Sequence, residues 1–196
     1  MTPQLIETLA WDGRAPVREA RHLARLARSA AALGYPLDRA AAAQALRAGR
    51  AAPARLRLTL DAQGALDVQE APLAPPARLW RVAVHPTRLH SADPWLRHKT
   101  THRALYDAAR AALPPGLDEW LFLNERDEAC EGTVTTLFFD GGAGWRTPPL
   151  ACGCLPGVLR EALALPEAVL PGRDLPRARL AVGNSLRGVI PAVLVE

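Results

Sequence analysis

The sequence predicts an α+β protein with two domains, and three features of the chain support this prediction. Short apolar or alternating segments, typical of strands, occur in both halves of the chain. Two segments near the N-terminus have the three- and four-residue apolar spacing of amphipathic helices. The proline-rich segment PLAPPAR at 72–78 separates the halves as a linker. We therefore predict a small α+β domain over residues 1–74 and a larger, mostly antiparallel β domain with helices over residues 79–196.

The small domain is predicted to contain a strand, two helices and a hairpin, in that order. LIETLAW at 5–11 indicates the strand, and VREARHLARLARSAAALGY at 17–35 has the spacing of a helix. LDRAAAAQALRAG at 37–49 indicates a second helix, which would end at Gly49. RLRLTLDAQGALDVQEA at 55–71 alternates polar and apolar residues around a Gln-Gly turn, which predicts a hairpin.

The larger domain is predicted to be rich in strands. LWRVAVH at 79–85 indicates a strand, and THRALYDAARAAL at 101–113 a helix. The segment 119–147 is typical of an antiparallel meander, in which WLFLN, DEACE, TVTTLFF and GWRT would be the strands. PGVLREALAL at 156–165 starts with proline, as many helices do. RLAVGNSLRGVIPAVLV at 179–195 predicts two strands around a polar Gly-Asn-Ser turn.

Composition disfavours several classes of function. The net charge is only +4 despite a pI near 9.5, and no basic run is interleaved with aromatic residues, so we expect no nucleic-acid partner. No apolar run approaches the roughly 20 residues of a membrane span, and MTPQLIETLAWDG does not resemble a signal peptide. Three cysteines are not the even set of a disulfide framework, so a reducing, cytoplasmic setting is expected.

The chain contains a single lysine, Lys99, among 24 lysine and arginine residues. Arginine supplies a permanent positive charge, whereas lysine can lose its proton, attack a carbonyl carbon and form a covalent bond to it. The alanine- and arginine-rich composition suggests that lysine has been replaced wherever only charge is needed. Lys99 is therefore a candidate for chemistry that arginine cannot perform. Chance survival on the surface is the alternative.

Two other groups of residues fit metal or redox chemistry poorly. His98 and His102 are four residues apart, as zinc ligands on a helix can be, but no third ligand is evident. Cys152 and Cys154 lack the spaced partner pair of a zinc or redox motif. We therefore predict that the protein has no metal site.

Five motifs occur in one order along the chain: LIETL with WDG and RHLARL, then HKTTHRALYDAAR, CEGTVTTLF, LPGVLR and GNSLRGVIP. This series resembles the class IV aminotransferase family, the pyridoxal 5'-phosphate (PLP) enzymes of fold type IV, which have the D-amino-acid aminotransferase fold. Within it, the motifs are most similar to those of aminodeoxychorismate lyase, particularly the lyase domain fused to aminodeoxychorismate synthase. The resemblance spans nearly the whole chain. Little sequence precedes the first strand, so the resemblance implies an N-terminally shortened small domain.

The resemblance implies a role for three ionisable residues. Lys99 would bind the carbonyl carbon of the cofactor covalently and would later move protons at the substrate. Glu131 would lie beside the pyridine nitrogen and keep it protonated. Arg25 would bind the phosphate, for which its planar guanidinium is suited. A solvated helix arginine and a loop carboxylate are the respective alternatives for Arg25 and Glu131.

Further cofactor contacts implied by the resemblance lie in two loops. Gly157 and Val158 would offer backbone N–H groups to the phosphate at a helix start. Leu159 stands where branched-chain enzymes have a phosphate-binding threonine, so only its backbone is left for that contact. Ser185 would contribute a hydroxyl, although a plain turn serine is equally compatible with the sequence.

The leading functional expectation is a PLP-dependent lyase that converts 4-amino-4-deoxychorismate to 4-aminobenzoate and pyruvate in folate biosynthesis. Thr8 and Tyr106 are possible substrate-side residues, with core or surface roles as alternatives. A PLP-dependent aminotransferase of branched-chain or D-amino acids is the second hypothesis, and a non-catalytic relic of the family is the third. The resemblance also implies a homodimer and a functional link to aminodeoxychorismate synthase.

Overall fold

The computed structural model describes residues 2–48 and 52–195, and the chain forms two compact units. The first unit comprises residues 1–75 and 98–102, and the second comprises 76–97 and 103–196. The change of unit at 75–76 falls inside the proline-rich linker. The sequence pattern assigns 98–102 to the larger domain, whereas the structure groups this segment with the first unit because its backbone pairs with the first strand.

The first unit is built on an antiparallel sheet of three strands, β1 (Leu5–Trp11), β2 (Ala54–Leu60) and β3 (Leu66–Ala71), in that spatial order. The other edge of β1 pairs with the segment 98–101. The N–H of Ile6 donates to the carbonyl of Lys99 at 2.8 Å, and the N–H of Thr101 donates to the carbonyl of Gln4 at 2.9 Å. These bonds extend the sheet by one short strand-like segment.

Two helices, α1 (Glu19–Leu33) and α2 (Arg39–Arg47), pack on one face of this sheet. Helix α1 ends at Gly34, whose positive φ of 71° is easily adopted by glycine, and Asp38 caps α2 by accepting from the N–H of Ala41. Gly49, the predicted end of α2, lies outside the described residues. The shared core contains leucines from both layers: Leu5, Leu9, Leu23, Leu26, Leu46, Leu56, Leu58 and Leu60.

The second unit is a closed barrel of six strands. The strands are β4 (Trp80–Val84), β5 (Glu119–Leu123), β6 (Ala129–Gly132), β7 (Thr136–Asp140), β8 (Arg179–Asn184) and β9 (Gly188–Leu194). Neighbours pair antiparallel except that β4 runs parallel to both β5 and β9. The connection from β4 to β5 contains helix α3 (Ala104–Ala111), and a long crossover of this kind is what a parallel pair requires.

One predicted strand of the meander is absent. GWRT at 144–147 forms only two isolated bridges, between Arg146 and Phe139 and between Thr147 and Glu167. Asp140 accepts hydrogen bonds from the N–H groups of Gly142 and Gly144, and both glycines have positive φ, so the chain turns here instead of extending.

The remaining differences concern the ends of elements. Helices α3 and α4 (Val158–Leu163) are shorter than the predicted helices over 101–113 and 156–165. The last turn falls at 185–187, since Gly183 and Asn184 are still paired in β8. No helix in the described part of the chain is both long enough and apolar enough to cross a membrane.

Candidate active site

Lys99 lies on the face of the first unit's sheet that the helices leave uncovered. The antiparallel bridge between Leu5 and Thr100 places Lys99 opposite Ile6. Opposite residues of an antiparallel pair point to the same face, and successive residues alternate between faces. Leu5 belongs to the core that α1 and α2 cover, so Ile6 and Lys99 point the other way. The side chain of Lys99 is half-buried there.

Thr8 and Arg57 are register partners on this same face, opposite the helices. Thr8 is two residues beyond Ile6 on β1, and both Thr8 and Arg57 are half-buried. A hydroxyl and a guanidinium beside an amine form a group suited to binding a carboxylate. Arg57 was not among the residues predicted from the sequence. The sequence feature that could have identified Arg57 is the alternation in RLRLTL, which places the arginines on the face opposite the core leucines.

Arg25 lies on α1 and is buried, with 5% of its surface exposed. Its Nε and Nη2 donate to the two carboxylate oxygens of Glu7 at 2.8 and 2.6 Å. The Nδ1 of His22, one turn earlier on the helix, lies 2.5 Å from Glu7 Oε2. The phosphate role of Arg25 stays a prediction, and the structure adds a carboxylate that fixes the plane of its guanidinium.

Glu7 is the only polar residue of β1 on the core-facing side of the strand. Burial would raise the pKa of Glu7, but the charge of Arg25 and the hydrogen bonds from His22 and Arg25 outweigh it and lower the pKa to about 2. The carboxylate is therefore ionised at neutral pH. A glutamate at a core position of an apolar strand, as in LIETL, was a signal for a buried partner that the sequence interpretation missed.

Glu131 lies on β6 in the second unit and is 8% exposed. Tyr106 on α3 donates its hydroxyl to Glu131 Oε1 at 2.8 Å, and the N–H of Leu155 donates to Oε2 at 2.9 Å. Each carboxylate oxygen thus accepts from a neutral donor, which stabilises the ionised form. Tyr106 was predicted as a possible substrate-side residue. The structure directs its hydroxyl at Glu131, and the substrate role stays a prediction.

The turn after Glu131 is held by a second buried carboxylate, Glu119. It accepts from the hydroxyl of Thr135 at 3.1 Å and the N–H of Val134 at 3.2 Å, as well as from the hydroxyl of Thr133. A Cβ at Gly132 would lie 2.9 Å from Glu119 Cγ, so the glycine of CEG is required by this close approach. The turn is therefore rigidly placed behind Glu131.

The two predicted phosphate loops lie at the same end of the barrel as Glu131. Thr136 is the register partner of both Glu131 and Gly183. A Cβ on Gly157 would lie 2.7 Å from the Thr136 hydroxyl oxygen. Ser185 is buried in the turn just after β8. The structure therefore brings Glu131, Gly157 and Gly183 around one threonine, and Ser185 follows Gly183 by two residues.

Val158 and Leu159 begin helix α4, which is only six residues long. The side chain of Leu159 is 2% exposed and packs with Phe138 and Ala181. The side chain of Leu159 is therefore committed to the core, and the backbone contact of Leu159 with a phosphate stays a prediction. The first N–H groups of a helix have no partner within that helix, so Val158 and Leu159 carry the donors that a phosphate requires.

The histidines and cysteines set aside above have structural contacts. His98 Nδ1 lies 3.1 Å from the hydroxyl oxygen of Ser29, and burial lowers the pKa of His98. Cys152 and Cys154 are buried, and burial is the main cause that raises the pKa of Cys152 to about 12. Within residues 2–48 and 52–195, no group of three or more His, Cys, Asp or Glu side chains is placed to hold a metal ion.

The predicted residues are therefore divided between the units. Lys99, Arg25 and Thr8 belong to the first unit. The second unit contains the other predicted residues: Glu131, Tyr106, Gly157, Val158, Leu159 and Ser185.

These features define the class of protein. The fold is that of the PLP enzymes of fold type IV, and the chain belongs to the class IV aminotransferase family, whose sequence profile matches residues 4–195. Members of this family are PLP-dependent lyases or aminotransferases.

Solved structures similar to the chain include both kinds of enzyme. A candidate amino-acid aminotransferase from Mesorhizobium loti is 44% identical, with a TM-score of 0.91 over 98% of this chain and 100% of that one. A candidate branched-chain amino acid aminotransferase from Thermotoga maritima is 26% identical, with a TM-score of 0.86 over 98% of this chain and 76% of that one. The 4-amino-4-deoxychorismate lyase of Pseudomonas aeruginosa is 25% identical, with a TM-score of 0.79 over 98% and 83%. A comparison with curated proteins gave no match.

Proposed function

We propose that this protein is a PLP-dependent lyase that converts 4-amino-4-deoxychorismate to 4-aminobenzoate and pyruvate. The observation that carries the proposal is the segment HKTTHRALYDAAR. Its lysine lies on the face of a sheet opposite the helices, and its tyrosine, seven residues on, donates to the buried carboxylate of Glu131. This segment resembles the one found in the lyase domains fused to aminodeoxychorismate synthase, and that resemblance supports the lyase.

The residues present fit the cofactor by the chemistry of their donors. Lys99 offers a primary amine for an aldehyde carbon, and Glu131 offers a carboxylate for a protonated ring nitrogen. Arg25, the backbone N–H groups at Gly157 and Val158, and the hydroxyl of Ser185 are donors for a phosphate. When bound, PLP supplies an electron-withdrawing ring conjugated to the substrate amine.

Two residues of the chain would then act in the reaction: one would remove a proton from the substrate, and the other would stabilise a charge on the cofactor. In the lyase reaction, the C–H bond of the amine-bearing ring carbon and the ether C–O bond both break. The ring becomes aromatic, and the leaving enolpyruvate takes up a proton to become pyruvate. We assign removal of the proton from the substrate ring to Lys99, because its neutral amine is a base. To Glu131 we assign the carboxylate that would keep the pyridine nitrogen of the cofactor protonated. Arg57 and Thr8, which lie on the same face of the sheet as Lys99, are suited to a substrate carboxylate.

An aminotransferase of amino acids is the second candidate. The observation that favours it is the 44% identity, over the whole length, to the candidate amino-acid aminotransferase from Mesorhizobium loti. Both reactions start with the same lysine and the same carboxylate. They differ in where the proton returns, and an aminotransferase needs an oxo-acid to complete its cycle. A homodimer, and a synthase that supplies the aminodeoxychorismate, form part of the lyase proposal.

Product analysis tests the lyase against the aminotransferase. With aminodeoxychorismate and no oxo-acid, the purified protein loaded with PLP should release 4-aminobenzoate and pyruvate in equal amounts. D-Alanine and branched-chain L-amino acids should leave the absorption band of the bound cofactor unchanged. Loss of that band with one of these amino acids, and its recovery with 2-oxoglutarate, would establish the aminotransferase instead. A protein that binds no PLP would contradict both.

A further inference from the structure

Side chains on one side of helix α3 donate hydrogen bonds to Glu131 at the end of β6 and to Thr133 in the turn that follows. Arg103, Tyr106 and Arg110 follow each other at spacings of three and four residues, so they lie on one face of the helix. Arg103 donates to the carbonyl of Thr133 at 3.0 Å, and Arg110 to the hydroxyl of Thr133 at 3.2 Å. Between them, Tyr106 donates to Glu131 at 2.8 Å.

The ring of Tyr106 is itself held on two sides. The ring of Phe122 contacts it edge-on, with centroids 5.2 Å apart, and the guanidinium of Arg103 lies 5.6 Å from its centroid. Asp107 accepts from Arg103 at 2.6 Å, which keeps that guanidinium in place. The hydroxyl of Tyr106 is therefore presented in a fixed direction.

Tyr106 remains a hydrogen-bond donor across the working pH range. Burial and the charge of Glu131 raise the pKa of Tyr106 far above its usual value. An O–H that does not ionise can only stabilise the negative charge of the carboxylate beside it. The N–H of Leu155, which donates to the other oxygen at 2.9 Å, does the same. Two donors on two oxygens fix the rotation of the carboxylate about its last bond.

We propose that Tyr106 is a positioning residue, whose hydroxyl orients the Glu131 carboxylate for the ring nitrogen of the cofactor. This inference rests on the proposed role of Glu131 in PLP binding, and it holds for a lyase and an aminotransferase alike. Without the hydroxyl, the carboxylate loses the donor to Oε1, and its orientation is less constrained. The ring nitrogen would then be protonated less completely, and electron withdrawal from the substrate would weaken.

Tyr106→Phe removes only the hydroxyl, and the chain offers a matched control. Tyr35, the other of its two tyrosines, donates its hydroxyl to the carbonyl of Pro3 at 2.6 Å. Tyr35→Phe therefore removes an equivalent hydrogen bond that does not involve Glu131. Loss of a hydrogen bond to a charged group should lower kcat about 10-fold in Tyr106→Phe, with KM changed less than about 2-fold. Tyr35→Phe should leave both constants unchanged.

A spectroscopic readout separates positioning from general structural damage. Each protein is loaded with PLP labelled with ¹⁵N in the ring, and the nitrogen chemical shift is recorded. The signal should move toward that of the neutral pyridine in Tyr106→Phe and stay unchanged in Tyr35→Phe. In a Glu131→Gln background, Tyr106→Phe should add less than about 2-fold to the loss of kcat, because the hydroxyl acts through Glu131. An unmoved nitrogen signal, or full additivity with Glu131→Gln, would overturn the inference.

The experiments distinguish a failure of this inference from a failure of the proposed function. If the unaltered protein does not bind PLP through Lys99, the proposed function fails. If it does, and Tyr106→Phe behaves like Tyr35→Phe, only the role of Tyr106 fails. Should Tyr106→Phe not fold, the contact is tested from its other side with tyrosine labelled with ¹³C at Cζ. In Glu131→Gln, the signal of Tyr106 must then move while that of Tyr35 stays, and two unmoved signals would contradict the inference.

Discussion

Two buried glutamates, one in each unit, show how the same side chain is used in different ways. Glu7 accepts from the guanidinium of Arg25 and from His22, so its charge is balanced by ionisable neighbours on the helix above it. Glu131 accepts from a phenol hydroxyl and a backbone N–H, which are neutral. A carboxylate matched by a cation within the fold contributes mainly to the fold. For Glu131, the tyrosine hydroxyl and the backbone N–H fix the direction in which the carboxylate points.

Lys99→Arg should have the largest effect, because it removes the covalent chemistry while keeping the charge. Borohydride reduction of the unaltered protein with PLP should attach one cofactor to the peptide that contains Lys99, and the variant should carry none. Mass spectrometry of the digest measures this directly. The variant should keep its thermal unfolding midpoint but lose all turnover. Cofactor found only on the N-terminal amine would show that Lys99 is an ordinary surface residue.

Glu7→Gln should act on stability, since it leaves Arg25 buried without its carboxylate partner. Breaking a buried ion pair in this way costs about 3–5 kcal/mol. Because the folded pKa of Glu7 is about 2, below its usual value, the stabilisation is complete at neutral pH and is lost as the pH falls from about 4.5 toward 2. The difference from the unaltered protein should shrink over that interval.

Urea unfolding at several pH values measures the effect of Glu7→Gln. Glu70→Gln, an exposed residue of the same sheet, is the control and should change stability by less than about 0.5 kcal/mol. A difference that is constant between pH 7 and pH 2 would contradict the assigned ionisation of Glu7.

Glu131→Gln makes the same substitution in the other unit, and we expect it to act on turnover instead of on stability. Removal of one electrostatic element at the reacting centre often lowers kcat on the order of 10²-fold or more, whereas stability should change little. Steady-state kinetics and urea unfolding on the same preparation measure both quantities. The comparison between the two glutamates fails if Glu131→Gln retains full turnover with bound cofactor.

Arg25→Lys should have the smallest effect of the four. Lysine keeps a positive charge beside Glu7 but lacks the planar fork that grips phosphate oxygens. We expect the dissociation constant of PLP to rise about 10-fold, measured by equilibrium dialysis. Arg21→Lys, at an exposed position of the same helix, should leave the affinity unchanged. If both variants bind PLP with equal affinity, Arg25 does not contact the phosphate and serves only the fold.

The fold class was predictable from the sequence because strand and helix periods are local properties of the chain. LIETLAW and the hairpin at 55–71 lie where the pattern predicted them, and both helices of the first unit follow from apolar spacing. The parallel pairing of β4 and the pairing of 98–101 with β1 were not predictable in this way. Both depend on hydrogen bonds between residues far apart in sequence, about which the local pattern is silent.

The candidate site was predictable only in part for a similar reason. Lys99 stands out by its residue type, and Glu131 by its place in the order of motifs. Glu7 and Arg57 do not stand out in the sequence. Their importance depends on which face of a strand they occupy and on which residues lie opposite them. Glu7 is nevertheless marked in the sequence as a polar residue at a core position of an apolar strand.

The short segment that carries Lys99 also covers the outer edge of β1. An uncovered edge strand exposes a row of N–H and C=O groups that readily pair with other chains and lead to aggregation. Residues 98–101 pair with that edge at residues 4–6, so one stretch of backbone both presents the reactive amine and shields this end of the edge strand from intermolecular pairing. The shielding is made by backbone groups and does not depend on the side chain at position 99. Lys99→Arg should therefore lose the chemistry and keep the shielding.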